Sequence, residues 1–202
     1  LQFDPTNNED PNPLYELKER DYEQARSRFL GATNLRWSPM DWMAIDGNLS
    51  YDRSDRRNED LYPKGYRTIS VSEDLNNGNL SASSTTSEAI NASITASMNF
   101  DLTDNIVNQT QLRYLYEQQD YISVSTGGSQ FAVGNVPVLG NLNQETVTSG
   151  STLQQILADG YFAITNFEIA ERYIVDALVR NDGSSLFGED ERRQWYYRLG
   201  GA

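Results

Sequence analysis

The chain has 202 residues, no cysteine and no histidine, and 16 basic against 29 acidic residues, which gives a formal net charge of −13. The missing residue types exclude disulfides, thiol nucleophiles, imidazole acid–base chemistry and zinc sites of the usual Cys/His kind. The acidic balance disfavours nucleic acid as a partner, because binding its backbone needs clustered Lys and Arg. We therefore predict a protein that is not an enzyme and that has no cofactor, no metal site and no nucleic-acid partner.

The first part of the chain is predicted to lead into a β-hairpin. Residues 1–26 are rich in Pro, Asn and charge, which indicates a loop, with a short helical turn near residues 14–24. Alternating polarity then predicts a hairpin over residues 27–53. Its turn is placed at residues 38–41, because Pro39 presets φ for the second position of a tight turn.

The clearest strand pattern lies at residues 90–102, where seven apolar side chains alternate with six polar ones. A strand of this length rises roughly 43 Å, well beyond the usual length of strands in soluble sheets. Tilted by about 45°, it would cross a bilayer. No apolar run approaches the ~18 residues of a membrane-spanning helix, so a barrel is the membrane class that the sequence leaves open.

Short turns and long polar connections alternate along the chain. The second and third hairpins have predicted turns at residues 103–104 and near residues 170–171, whereas the connections between hairpins are much longer. This asymmetry is typical of transmembrane β-barrels. The predicted segments are a loop at 1–26, a hairpin at 27–53, a loop at 54–87, a hairpin at 88–120, a loop at 121–155, a hairpin at 156–182, a loop at 183–193 and the start of a strand at 194–202.

The predicted fold is an all-β, antiparallel transmembrane barrel segment of about seven strands. Two bare strand edges in hydrocarbon would leave backbone donors and acceptors unsatisfied at several kcal/mol each. We therefore expect the chain to be a segment of a larger polypeptide that completes the barrel. The apolar faces of the strands would then contact outer-membrane lipid.

Two sets of side chains are candidates for binding. Loop aromatics can stack on a substrate or a partner, or they can pack loop against loop; this set comprises Tyr62, Tyr66, Tyr121 and Phe131. Polar residues on the lumen side of the strands can contact a plug or a substrate, or they can form ion pairs on a wet wall; this set comprises Arg36, Asp46, Asp101, Arg113, Glu117, Asp176 and Arg180. A partial calcium-loop pattern at Asp74, Asn76 and Gly78 lacks the closing Glu.

Three stretches resemble the SusC/RagA-like family of TonB-dependent outer-membrane transporters. They are RYIVDALVRNDGSSLFG at residues 172–188, WSPMDWMAI at residues 37–45 and NPLY at residues 12–15. The resemblance implies a plugged barrel of roughly 22 strands in the outer membrane of a Gram-negative bacterium. It also implies import of a glycan or peptide with a SusD-like lipoprotein, driven by TonB through a plug domain that is absent from this chain.

Two other classes of function remain compatible with the residues. A structural or adhesive extracellular β-protein without a transport role would explain the strands, but it does not account for the length of the strand at residues 90–102. A carbohydrase with paired carboxylates is allowed by the many acidic residues and by little else. The transporter segment is therefore the preferred interpretation.

Overall fold

The computed structural model describes residues 13–67 and 73–202. It contains two α-helices, α1 (Pro13–Glu19) and α2 (Glu73–Asn76), and 3-10 turns at Leu139–Asn141 and Glu189–Glu191. The strands are β1 (Asp21–Met40), β2 (Met43–Tyr62), β3 (Asn79–Thr103), β4 (Ile106–Ser129), β5 (Thr148–Ile169), β6 (Tyr173–Ser184) and β7 (Arg193–Gly201). In the described part of the chain, no helix has the length and apolarity needed to cross a membrane.

All seven strands belong to one antiparallel sheet in the order β1-β2-β3-β4-β5-β6-β7. Each strand therefore pairs with its neighbour in sequence, which confirms the predicted fold class. In β5, β6 and β7, the register places Ala163 opposite Val179, and Val179 opposite Tyr197. Residues directly opposite each other project from the same face of a sheet. The predicted apolar positions of these three strands thus share one face.

The tight turns lie close to their predicted positions. The β3–β4 turn consists of Asp104 and Asn105. The β5–β6 turn begins at Ala170, and both Ala170 and Glu171 have a φ of 54°. In the first hairpin the turn is shorter than predicted, because β1 continues to Met40 and leaves only two residues before β2. Pro39 consequently lies in β1, where an outer strand of the sheet tolerates the missing N–H.

The long connections were predicted wrongly, because the strands continue far into them. Residues 54–62 belong to β2 and residues 79–87 to β3, although a loop was predicted over 54–87. Likewise, β4 runs to Ser129 and β5 begins at Thr148, inside the predicted loop at 121–155. Residues 54–60, 83–87 and 125–129 carry no large apolar side chain, so the apolar–polar alternation that indicates a strand is missing there. Alternation is present only over a few residues of the other extensions, at Leu80 and Ala82 and at Ile122 and Val124. β1 begins at Asp21, inside the loop predicted over 1–26, and α1 occupies Pro13–Glu19, whereas residues 1–12 of that predicted loop lie outside the described residues.

The chain divides into two compact units. The first comprises residues 1–28, 54–86 and 121–153, and its core is formed by Leu80, Phe131 and Leu142. The second comprises residues 29–53, 87–120 and 154–202.

The presence of buried hydrophobic residues distinguishes the two units. Every buried hydrophobic residue among those described belongs to the first unit. The second unit leaves large apolar side chains exposed on its strands, including Leu49, Ile94, Val179 and Leu199. Its apolar face is therefore unburied.

Candidate functional site

Side-chain hydrogen bonds cross the strands of the first unit. The amide of Asn58 on β2 receives a hydrogen bond from Gln24 on β1 at 2.9 Å and donates one to Ser83 on β3 at 3.3 Å. Thr85 and Ser123 share a hydrogen bond of 3.2 Å between β3 and β4. These contacts join short polar side chains of four successive strands. Together they form a wall whose surface presents hydroxyls and amides.

A groove of about 610 Å³ lies in the first unit. Its lining combines hydroxyls and glycines with one carboxylate and one exposed aromatic ring, and it includes Tyr22, Asn58, Asp60, Ser81, Ser83, Ser125, Gly127 and Ser149. Hydroxyl and amide groups of this kind can donate to and accept from either sugar hydroxyls or peptide amides. The groove is therefore a candidate contact surface for a polar ligand. Within residues 13–67 and 73–202, no group of three or more metal-ligating side chains is placed to hold a metal ion.

Arg20 anchors the start of β1 beside this groove. Its Nε and Nη2 donate to the two carboxylate oxygens of Asp60 at 2.8 and 2.7 Å, and its Nη1 donates to Glu16 at 2.8 Å. The hydrogen bonds to Asp60 and then to Glu16 raise the pKa of Arg20 above its ordinary value. The sequence analysis missed this cluster, because forty positions separate Arg20 from Asp60 and no local pattern links them.

The predicted loop aromatics occupy different environments. Tyr66 is only 7% exposed and Phe131 only 4%, so the packing alternative describes them and neither presents a free ring to a ligand. Tyr66 lies 5.0 Å from Tyr62 and 5.2 Å from Tyr15, measured between ring centroids, and burial raises the pKa of Tyr66. Tyr121 is exposed, but it lies in β4 rather than in a loop. Ligand contact by Tyr62 and Tyr121 stays a prediction.

The residues predicted to face the lumen form ion pairs at several positions. Arg36 and Asp46 lie 3.7 Å apart between β1 and β2, and Asp176 pairs with Arg198 at 3.0 Å between β6 and β7. Arg180 pairs with Asp182 on its own strand. The structure places the other three as exposed residues on β3 and β4, namely Asp101, Arg113 and Glu117. These pairs agree with the ion-pair alternative, whereas contact of any of the seven with a plug or a substrate stays a prediction.

The chain is similar to known proteins in structure but not detectably in sequence. No family model and no curated protein sequence matches the chain. Solved structures of the RagAB peptide transporter match with a TM-score of 0.84, and those of the RagAB peptide importer in the closed-closed and open-open states match with 0.83 and 0.82. In each case the sequence identity is 15%, and the alignment covers 95% of this chain and 21% of the solved chain.

The chain thus spans about a fifth of the length of the solved chains that it matches. An identity of 15% supports a shared fold and leaves activity and substrate open. The seven strands and their order agree with the segment predicted from sequence. The chain therefore has the fold of the matched segment of the RagAB structures, an open antiparallel sheet of seven strands.

Proposed function

We propose that this chain forms part of the wall of an outer-membrane, TonB-dependent importer in a Gram-negative bacterium. In this proposal the 202 residues belong to one β-barrel domain of a longer protein, whose other strands and plug lie outside this sequence. The cargo is a bulky nutrient, either a glycan or a peptide, and a SusD-like lipoprotein is the partner. The segment contributes wall and loops, while the energy comes through TonB acting on the plug.

The exposed apolar face of the second unit is the observation that carries this proposal. Ile94 is 52% exposed in the middle of β3, and Leu49 and Val179 are exposed on other strands. Burial of one such side chain away from water contributes about 1.5–3 kcal/mol, so a sheet face of this kind needs a cover. Lipid provides that cover in a membrane barrel, where apolar side chains point outward and polar ones inward.

The polar wall of the first unit supports the transport part of the proposal. The groove that Asn58 and Asp60 line is formed mainly by hydroxyl and amide groups, which can hydrogen-bond to a ligand. A lumen wall of this composition would let a polar cargo pass while holding it by many weak contacts. Both glycan and peptide satisfy this chemistry, because each carries closely spaced donors and acceptors.

Paired substitutions in the full-length protein test the orientation of β3. Ile94→Arg would place a charge on the proposed lipid face and should cost roughly 2–4 kcal/mol of stability if the residue lies near the middle of the bilayer. Ser93→Arg, on the opposite face, should cost little. Outer-membrane fractionation and heat-modifiable migration on a gel measure assembly of each variant. Equal tolerance of the two substitutions, or recovery of the protein outside the outer membrane, would contradict the proposal and favour an extracellular structural protein.

A further inference from the structure

On β5, β6 and β7, the apolar face of the second unit ends at a pair of opposite charges. The register places Asp159, Gly183 and Arg193 side by side, one on each strand. Residues directly opposite each other share a face, and alternation puts Asp159 on the face of Ala163. From this row toward the β5–β6 turn, that face carries uncharged side chains, at every second residue from 161 to 169, from 173 to 181 and from 195 to 201. Asp159 and Arg193 are therefore the first charges beyond its apolar part.

The distance of this pair from the turn matches the apolar band of a membrane barrel. Asp159 lies ten residues before the end of β5 at Ile169. At about 3.3 Å per residue and a tilt of roughly 40°, this length of strand spans about 25 Å of depth. The apolar band of transmembrane barrels is also ~25 Å tall. In the proposed importer, Asp159 and Arg193 are thus level with the lipid headgroups on the side of the long loops.

The Arg193 guanidinium is fixed by three neighbours. It pairs with Asp159, its Nη1 donates to Oδ1 of Asn181 at 2.8 Å, and its Cζ lies 5.5 Å from the ring centroid of Tyr161. Gly183 makes room for the pair, since a Cβ there would lie 2.7 Å from a carboxylate oxygen of Asp159. The side chains of Arg193 and Asp159 nevertheless remain 45% and 25% exposed. A cation and an anion are therefore presented together, already in place, to whatever covers this face.

An apolar groove of about 500 Å³ adjoins the ion pair on the side of the turn. This volume lies within the roughly 300–1,000 Å³ of small-molecule sites. The lining is apolar except for Arg113, and it combines the small Ala96 and Ala163 with larger side chains that include Ile94, Tyr114, Tyr161, Val179 and Trp195. Because Arg193 lies over Tyr161, the groove and the ion pair are continuous. Ile94 and Val179 place the groove on the face that the proposed function gives to lipid.

We infer that this face holds one lipid with a phosphoethanolamine headgroup, whose acyl chain lies in the groove and whose headgroup contacts Arg193 and Asp159. This inference rests on the proposed function and adds an individual lipid site to the wall. The paired charges select the headgroup. The guanidinium binds phosphate through charge-assisted hydrogen bonds, and the carboxylate accepts from the ammonium. A phosphocholine headgroup has no N–H to donate to Asp159, and a purely anionic headgroup would be repelled by it.

The test uses the full-length protein in detergent, mixed with dioleoyl phosphatidylethanolamine or dioleoyl phosphatidylcholine, and native mass spectrometry measures the lipid that it retains. We expect the wild type to retain phosphatidylethanolamine about tenfold better than phosphatidylcholine. Asp159→Asn should abolish this preference, and Arg193→Gln should lower the retention of both lipids about tenfold. The matched control is Arg198→Gln, which removes an ion pair with Asp176 at 3.0 Å between the same two strands. Because Arg198 lies on the opposite face, this variant should retain both lipids as the wild type does.

Ala163→Leu gives a second reading that leaves the ion pair intact. The larger side chain occupies the groove, so retention of both lipids should fall while the preference for phosphatidylethanolamine persists. Equal retention of the two lipids by the wild type, or wild-type retention in Arg193→Gln or in Ala163→Leu, would overturn the inference. The importer proposal would then stand, because a barrel can face a bilayer without holding a particular lipid. Recovery of the wild-type protein outside the outer membrane would overturn both.

Discussion

The guanidinium of Arg180 on β6 lies over the ring of Phe162 on β5, 5.0 Å from its centroid, and 5.5 Å from the ring centroid of Tyr196 on β7. The register places both aromatic residues directly opposite Arg180. The same guanidinium pairs with Asp182, while its Nε is buried without a hydrogen-bond partner among the described residues. Stacking on Phe162 and Tyr196, together with the ion pair to Asp182, therefore fixes the position of the Arg180 side chain. The stacking also connects three adjacent strands.

Arg180→Lys should destabilise the full-length protein by about 1 kcal/mol, because an ammonium keeps the charge but loses the planar stacking. Arg36→Lys is the control, since that side chain is 70% exposed in its ion pair with Asp46 and should change stability by less than about 0.5 kcal/mol. Urea unfolding in detergent measures both. Equal effects would show that the stacking of Arg180 contributes nothing to stability.

Gly78→Ala should loosen the connection between β2 and β3. Gly78 has φ of +91°, and a Cβ placed there would overlap the ring of Phe131 and lie 3.1 Å from the backbone nitrogen of Lys64. We expect the backbone penalty of roughly 1–2 kcal/mol plus a further 1–3 kcal/mol, roughly, for overpacking.

Gly65→Ala distinguishes the backbone penalty at positive φ from the cost of overpacking against Phe131. Gly65 has nearly the same φ, +95°, but open space around its Cβ position. This variant should therefore show the backbone penalty alone. Limited proteolysis of the full-length protein, with cleavage sites mapped by mass spectrometry, should detect earlier cutting near residues 131–142 in Gly78→Ala than in Gly65→Ala. The same cleavage rate in both would mean that Phe131 moves away at no cost.

Lys64→Met should raise hydrogen exchange in the β4–β5 loop. The Lys64 ammonium donates to the carbonyl of Phe131 at 2.7 Å and to that of Ala132 at 3.1 Å. A hydrogen bond from a charged group contributes about 1.5–3 kcal/mol, so amide protection in residues 131–142 should fall by roughly tenfold or more. Lys18→Met, at an exposed surface ion pair with Glu19, should leave that protection unchanged. Unchanged exchange in Lys64→Met would show that the hydrophobic base alone holds the loop.

Asn108→Ala should destabilise the second unit. Asn108 is buried on β4, where its Nδ2 donates to Thr165 at 2.8 Å and its Oδ1 accepts from Thr110 at 2.9 Å. Its loss removes both hydrogen bonds from a buried position, leaves the half-buried hydroxyls of Thr110 and Thr165 with only each other at 2.9 Å, and should cost about 1–3 kcal/mol of unfolding free energy. Asn99→Ala, at an exposed position of β3, should stay within about 0.5 kcal/mol of wild type. A comparable result for the two would imply that water replaces the Asn108 amide.

The candidate site could be predicted only in part. The alternation at residues 90–102 predicted the polar and apolar faces of β3, with Ser93 on one face and Ile94 on the other. The partners of Arg180 on β5 and β7, and the pairing of Arg20 with Asp60, depend on strand register. Register is set by cross-strand packing over many residues, which a single stretch of sequence does not contain. Packing of Tyr66 and Phe131 was one of two alternatives that the sequence left open, and it could not choose between them because their neighbours come from distant parts of the chain.

The sequence by itself determined which faces of the strands are apolar and where the tight turns fall, because alternation appears wherever two sides of a strand meet different surroundings. Tertiary structure decided how far the strands extend. Residues 54–60 and 125–129 carry no large apolar side chain, so only pairing with neighbouring strands makes them β-structure. Tertiary structure also decided that Phe131 is buried while Val133 and Val138 are exposed, since both depend on how the β4–β5 loop packs on Leu80.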